Sequence, residues 1–145
     1  MKLRSKTAIR TSDINHFSDP AIAAALLDAG SGDLMNDPET FGFLFESLAI
    51  RDLRVYADVL GGGVFHYRDK TGLEADAIIH LPSGKWGAIE VKLGYGWTDE
   101  AAKHLIELKD KAVDKPEFLM VIIPEGYAYT RPDGVHVCPI GCLCP

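Results

Sequence analysis

Two short acid-bearing stretches, Glu74-Ala75-Asp76-Ala77-Ile78-Ile79 and Ala88-Ile89-Glu90-Val91-Lys92, constrain this chain more than any other feature. Each sets carboxylates inside an apolar run, where charge is ordinarily avoided. Between them lies Pro82-Ser83-Gly84, a three-residue hairpin loop ending in glycine. With that loop Leu81 faces Lys85, so Asp76 falls opposite Glu90 and Glu74 opposite Lys92. The period of two in a strand then puts all four side chains on one face. Leu73, Ala75, Ala77, Ile79 and Leu81 share the other face with Gly87, Ile89, Val91 and Leu93, which is the expected core. A loop one residue shorter or longer would send Asp76 and Glu90 to opposite faces. Two carboxylates opposed across a ladder repel unless something neutralises them. A divalent cation does so, with help from an adjacent lysine, and the expected chemistry is metal-dependent phosphoryl transfer.

At 145 residues and 47% hydrophobic, the chain suits one globular unit with a substantial core. The net charge of −6 argues against a strongly basic nucleic-acid clamp, while leaving room for a small basic rim. No apolar run approaches the ~20 residues needed to span a bilayer. The basic start, Met1 to Arg10, lacks the apolar stretch of a signal peptide, so the cytoplasm is the expected location and no membrane partner is expected. Cys138, Cys142 and Cys144 crowd the last eight residues in odd number and without a complementary Cys or His pair. They are expected to be ordinary reduced cysteines rather than a disulfide framework or a zinc site.

Residues 1–18 are polar and unpatterned. Asp19-Pro20 reads as an N-cap followed by proline at the first helical position, opening a helix over residues 21–27 that stops by Gly30. A loop is expected over 30–36. Asp37-Pro38 repeats the start signal for a longer helix reaching about Leu60, apolar on two sides and therefore expected to be mostly buried. Glu46 lies inside it among Gly42, Phe43, Ala49 and Ile50, so it is either paired or functional. Gly61-Gly62-Gly63 ends the helix, and residues 64–68 read as a strand leading to the two acid-bearing ones. Thr98 is expected to cap an amphipathic helix that ends before Pro116. Phe118 to Ile123 reads as a buried central strand, and a last hairpin is expected around Pro132-Asp133-Gly134. The fold class is thus α/β, a mixed central sheet flanked by helices.

These residues match a known pattern. Asp76, then Glu90-Val91-Lys92 on the next strand, with Glu46 on the preceding helix, resembles the PD-(D/E)XK nuclease superfamily. Its restriction-endonuclease-like core order of helix, three-strand meander, helix and strand looks like residues 38–123. A wider likeness is to the domain of unknown function at the C-terminus of many prokaryotic AAA-type ATPases. It is carried by Phe17-Ser18-Asp19-Pro20-Ala21, Gly42-Phe43-Leu44-Phe45-Glu46-Ser47, Tyr67-Arg68-Asp69, Glu74-Ala75-Asp76 and Ile89-Glu90-Val91-Lys92. Ala75 stands where proline precedes the aspartate in the superfamily motif. The resemblance implies a lead-in and helix over 1–37, a nuclease-like part over 38–145, and an upstream ATPase that this chain lacks. No phosphate-loop motif occurs in the sequence.

The expected function is Mg²⁺-dependent (or Mn²⁺-dependent) phosphodiester hydrolysis on nucleic acid, with DNA the default by analogy. Asp76 and Glu90 are the expected metal ligands. Lys92 is the expected catalytic lysine, assisted by Glu46 and Glu74. The alternative is a nuclease-fold module that no longer cuts and serves the ATPase as an interaction or regulatory domain. For single residues the plain alternatives are a Lys92–Glu74 salt bridge, a Glu46 partnered by Arg68 or Lys92, and Trp86 capping the site. His66, His80, His104 and His136 show no ligand spacing.

Overall fold

Two Asp-Pro pairs start helices as their chemistry dictates. In the computed structural model, which describes residue 16 and residues 18–143, Asp19 Oδ1 accepts the Ala21 N–H at 2.9 Å and opens helix α1 (Pro20–Leu26). Asp37 Oδ1 accepts the Thr40 N–H at 3.1 Å and opens the long helix α3 (Pro38–Val59). Between them the expected loop is instead a short helix, α2 (Ser31–Asn36). Asp33 folds back to accept the Gly30 N–H at 3.0 Å, satisfying a donor at the helix start that a glycine N-cap cannot satisfy itself.

The sheet follows from the strand runs. Strands β1 (Gly63–Arg68), β2 (Glu74–His80) and β3 (Trp86–Val91) form an antiparallel meander. Helix α4 (Thr98–Lys111) then crosses over to β4 (Phe118–Ile123), which pairs parallel with β3. The hairpin of β5 (Tyr129–Thr130) and β6 (His136–Pro139) completes a six-stranded mixed sheet in the order β1-β2-β3-β4-β6-β5. Thr98 is the first residue of α4 rather than its cap. Its hydroxyl donates to the Tyr95 carbonyl at 2.8 Å, within the 3₁₀ turn Tyr95–Trp97 that joins β3 to α4.

The decisive loop is the expected one. Leu81 N–H donates to the Lys85 carbonyl at 2.9 Å and Gly84 N–H to the Leu81 carbonyl at 2.9 Å, with Gly84 at a φ of 86° that favours glycine. The resulting register pairs Ala77 with Ile89 and Ile79 with Gly87.

Two expectations about the faces are corrected. Ala77, Ile79, Ile89 and Val91 pack in a core with Phe45, Ile50 and Leu53 of α3, but Leu73 and Ala75 belong to the other core, beneath α4. Strand β2 changes sides because its pairing with β1 shifts between Phe65↔Ile78 and Tyr67↔Ala75. The two residues Asp76 and Ala77 thus oppose His66 alone, which is a β-bulge. Nor is the acid-bearing parity an open face: Trp86 and Ala88 share it with Glu90 and lie buried against Ala101, Leu105 and Leu108 of α4. Helices cover both sides of β3, every residue of which is buried.

Helix α3 meets the sheet through Phe45, Ala49, Ile50 and Leu53, and Leu44 and Ala57 are buried as well. Phe43 departs from the expectation of near-complete burial and stands 63% exposed. Cys138 is half-buried on β6 and Cys142 is exposed, while Cys144 lies outside the described residues.

Candidate functional site

Regular pairing of β2 with β3 stops at Ala77↔Ile89, one step short of Asp76 and Glu90. Beyond that step the Asp76 carboxylate, rather than a backbone carbonyl, accepts the Val91 N–H, with Oδ2 at 2.7 Å. The strands therefore part at Asp76, and a side-chain oxygen fills the place of the missing ladder bond. Lys92, two residues after Glu90, carries its Nζ into this gap. It lies 2.5 Å from Glu90 Oε2 and 3.6 Å from Asp76 Oδ2, so the two carboxylates come within about 6 Å of one another around one ammonium.

Glu46 reaches the same region from α3. Its carboxyl Oε1 lies 3.9 Å from His16 Nε2. Glu74 points to β1 and not to Lys92: it meets His66 Nε2 at 2.7 Å and Arg68 at 3.6 Å. The expected Glu74–Lys92 bridge is absent because Glu74 pairs with Arg68 across the β1–β2 ladder, while β3 has already diverged. Glu46 has neither Arg68 nor Lys92 as an ion-pair partner. Trp86 does not cap the site; it is buried under α4, its indole N–H donating to the Asp114 carbonyl at 3.1 Å. Two histidines escape the sequence reading. His66 arrives through the bulge, and His16 comes from ahead of α1. For His66 the only sequence signal is that it shares the strand parity of Arg68; for His16 there is none.

One lysine faces several carboxylates here, and the proton affinities follow. Burial, reinforced by the charge of Asp76, pushes the Glu46 carboxyl up from its ordinary 4.5 to about 7, with Lys92 opposing and Glu74 adding to the rise. Glu90, only 3% exposed, is pushed upward by the same causes in the same order, burial and then Asp76, despite its contact with Lys92. For Lys92 burial favours the neutral amine, but Asp76 and Glu90 outweigh it and hold the ammonium more firmly protonated than usual. His16 is lowered, by burial first and then by Arg54 and His66, with Asp76 opposing. Because burial disfavours the protonated form of His16 and raises the proton affinity of Glu46, the 3.9 Å contact between them is a weak ion pair at neutral pH.

The sign of the pH dependence follows. A carboxyl whose folded-state pKa is raised binds its proton more tightly in the native protein than in the unfolded chain. Its stabilising contribution is complete below about 4.5 and is lost as pH rises through about 7. The metal-free domain should therefore lose stability between pH 5 and 8. Glu46→Gln should flatten that slope and raise stability at pH 8 by about 1–2 kcal/mol, a value reduced from ~1.4 kcal/mol per pH unit because the group is partly solvated. Urea melts across this range provide the check, and an unchanged slope in the variant would refute the assignment.

Asp76 and Glu90 supply hard oxygen donors. Mg²⁺ and Mn²⁺ accept such donors, and Mg²⁺ is commonly held by one or two carboxylates with water and substrate phosphate completing the shell. The pair fits that pattern. Among the described residues no group of three or more His, Cys, Asp or Glu side chains is placed to hold a metal ion, so Asp76 and Glu90 stand as a pair of donors.

Beside the cluster runs a groove of about 290 Å³ between the start of α3 and the segment after β3. Glu46, Lys92 and Val91 form part of its wall, and Phe43 and Trp97 line it as well. Among the described residues no helix is long and apolar enough to cross a membrane.

The family model described as Domain of unknown function (DUF4143) matches residues 41–143, from the first turn of α3 to just past the 3₁₀ turn Ile140–Cys142 that follows β6, and the chain belongs to that family. No curated protein and no solved structure matches it.

Proposed function

We propose that this member of the family is a metal-dependent phosphodiester hydrolase with a PD-(D/E)XK-type site, working as the C-terminal module of an AAA-type ATPase on nucleic acid. The observation that carries this reading is the convergence of Asp76, Glu90 and Lys92 where β2 and β3 part, in surroundings that leave carboxylates with too little compensating charge. Asp76 and Glu90 would hold Mg²⁺ or Mn²⁺. When bound, such an ion supplies positive charge to the phosphate oxygens and makes water more acidic.

The remaining work falls to the chain. Lys92 donates hydrogen bonds to the attacking water or to a non-bridging phosphate oxygen, where negative charge builds as water oxygen bonds to phosphorus and the bond to the leaving oxygen breaks. Glu46, with a pKa near neutrality, can take a proton from that water or hold it in line. Glu74, paired with His66 and Arg68, sits one layer out and braces the β1–β2 ladder next to Asp76. The test is metal-dependent nicking of plasmid and single-stranded DNA by the domain and by its Asp76→Asn variant. Mg²⁺ or Mn²⁺ should also raise the melting temperature of the unmodified domain, by the equivalent of about 2–3 kcal/mol at a hundredfold excess over Kd, and leave Asp76→Asn unmoved. An equal rise in both proteins would place the ions elsewhere.

A second reading has its own observation. Lys92 already contacts both carboxylates, so the cluster is partly neutralised from within, as in a module that has kept the fold and given up cleavage. The net charge of −6 favours it too. If neither the domain nor the full ATPase cuts any nucleic acid with Mg²⁺ or Mn²⁺, the regulatory module becomes the better account.

A further inference from the structure

The groove beside the cluster joins apolar walls to unmatched negative charge. Phe43 and Trp97 line it at 63% and 61% exposure, together with the aliphatic side chains of Val91 and Leu93. Its acids are Glu39 and Glu46, both on α3. Seven positions of helix are two turns, so the two stand on one face about 10.5 Å apart along the axis, with Phe43 between them. Neither is matched by a strong cation. Glu39 is exposed and has no basic partner among the described residues, and Glu46 meets His16, whose protonated form burial disfavours. Lys92 lines the groove as well, but its ammonium is committed to Glu90 at 2.5 Å and Asp76 at 3.6 Å. The groove is therefore electronegative at two separate points, and an anionic occupant finds no free partner in it.

Spacing and walls narrow the occupant. A single metal ion cannot bridge carboxylates two helical turns apart, and a hydrated ion gains nothing from Phe43 or Trp97. A guanidinium suits both features. It is weakly hydrated, forks onto a carboxylate through two N–H donors, and lies on the face of an aromatic ring. In an extended chain, roughly three residues span the distance between the two acids. We infer that the groove between α3 and the β3–α4 turn is a docking site for an arginine-bearing segment of a partner protein. The partner presents an extended Arg-x-x-Arg run, with one guanidinium on Glu39, the other on Glu46, and the aromatic wall of Phe43 and Trp97 beside them. Overall charge points the same way, since a chain of net charge −6 attracts a basic partner. The wall is also organised in advance. The turn carrying Trp97 is tied by the Thr98 hydroxyl to the Tyr95 carbonyl at 2.8 Å, and the Tyr95 hydroxyl accepts the Tyr127 N–H at 2.6 Å. None of these contacts needs a metal or cleavage, so the site does not depend on the hydrolase reading.

The test is binding of a short labelled peptide, Arg-x-x-Arg among leucine and serine, followed by anisotropy in EDTA. The sequence holds two tryptophans, and Trp86 is buried, so a change in tryptophan fluorescence on titration reports Trp97. Affinity should fall about tenfold or more when both arginines become citrulline, which keeps the shape and removes the charge. Setting the arginines side by side should cost about 2- to 5-fold, because only one carboxylate is then reached. Glu39→Gln should weaken binding about 2- to 5-fold, half-buried Glu46→Gln about 5- to 20-fold, and Trp97→Ala about 3- to 30-fold. Glu39 and Trp97 are exposed, and unchanged thermal melts will confirm that their variants stay folded. Equal affinity for the citrulline peptide, or glutamine variants that bind as well as the parent, would overturn the site. So would sedimentation showing a dimer that Phe43→Ala and Trp97→Ala dissociate, since a second copy would then fill the groove. Peptide binding without metal-dependent cleavage would keep the groove and remove the hydrolase. Cleavage by a domain that ignores the peptide would keep the hydrolase and remove the groove.

Discussion

On the proposed hydrolase reading, Lys92→Ala should lower metal-dependent cleavage by a factor of at least about 10², and on either reading it should destabilise the domain. The second effect comes from the lysine's partners. A bridge to half-exposed Glu74 would be worth about 1 kcal/mol or less. Its actual partner Glu90 is buried, with the side chain only 4% accessible, and removing one member of a buried pair leaves an uncompensated charge that typically costs about 3–5 kcal/mol. The cost is capped because Glu90, already pushed upward, can accept a proton instead of remaining ionised. The loss should accordingly be about 2–4 kcal/mol at pH 8 and shrink toward pH 5, where the carboxyl is neutral in either protein. Denaturant melts at the two pH values measure it. A small penalty that does not vary with pH would mean Lys92 is not the counter-charge of Glu90. Cleavage surviving in the folded variant would remove lysine from the chemistry.

The second large effect separates the two jobs of Asp76. Its carboxylate accepts the Val91 N–H at 2.7 Å and faces Lys92 at 3.6 Å, with the side chain only 14% accessible. Asp76→Ala deletes the acceptor and strands a buried backbone donor, which costs about 1–3 kcal/mol before the loss of the lysine contact is added. Asp76→Asn keeps a carbonyl oxygen for Val91 and removes only the charge. The alanine variant should therefore be about 2–4 kcal/mol less stable than the parent at neutral pH, and the asparagine variant considerably closer to it. Both should lose the metal-dependent rise in melting temperature. Equal stability of the two variants would show that the Val91 contact contributes little, and a retained metal response in Asp76→Asn would move the ion away from this carboxylate.

Much of this was legible in the chain. The Asp-Pro starts of α1 and α3, the strand runs, the crossover helix before Pro116 and the three-residue loop at Pro82-Ser83-Gly84 are local signals, each carried by residues that limit their own backbone. Because a strand's side-chain period is two, that one loop was enough to bring Asp76, Glu90 and Lys92 to one place. The helix at Ser31–Asn36 went unread because its start depends on Asp33 reaching back to a glycine, a weak signature within a run of small polar residues.

Only the tertiary structure decided the rest. A sequence carries no record of which neighbouring strand a residue meets, so neither the bulge opposite His66 nor the early parting of β2 and β3 could be read from spacing. Those two departures gave Glu74 to His66 and Arg68, left Lys92 to Asp76 and Glu90, and buried Trp86 under α4. His16 and Glu46, thirty positions apart in a chain with no local pattern linking them, meet only because the entry to α1 packs beside α3. The proton affinities have the same origin. Identical carboxyls differ because burial and neighbouring charge are properties of the assembled fold, and the chain by itself holds only the residues that the fold will crowd together.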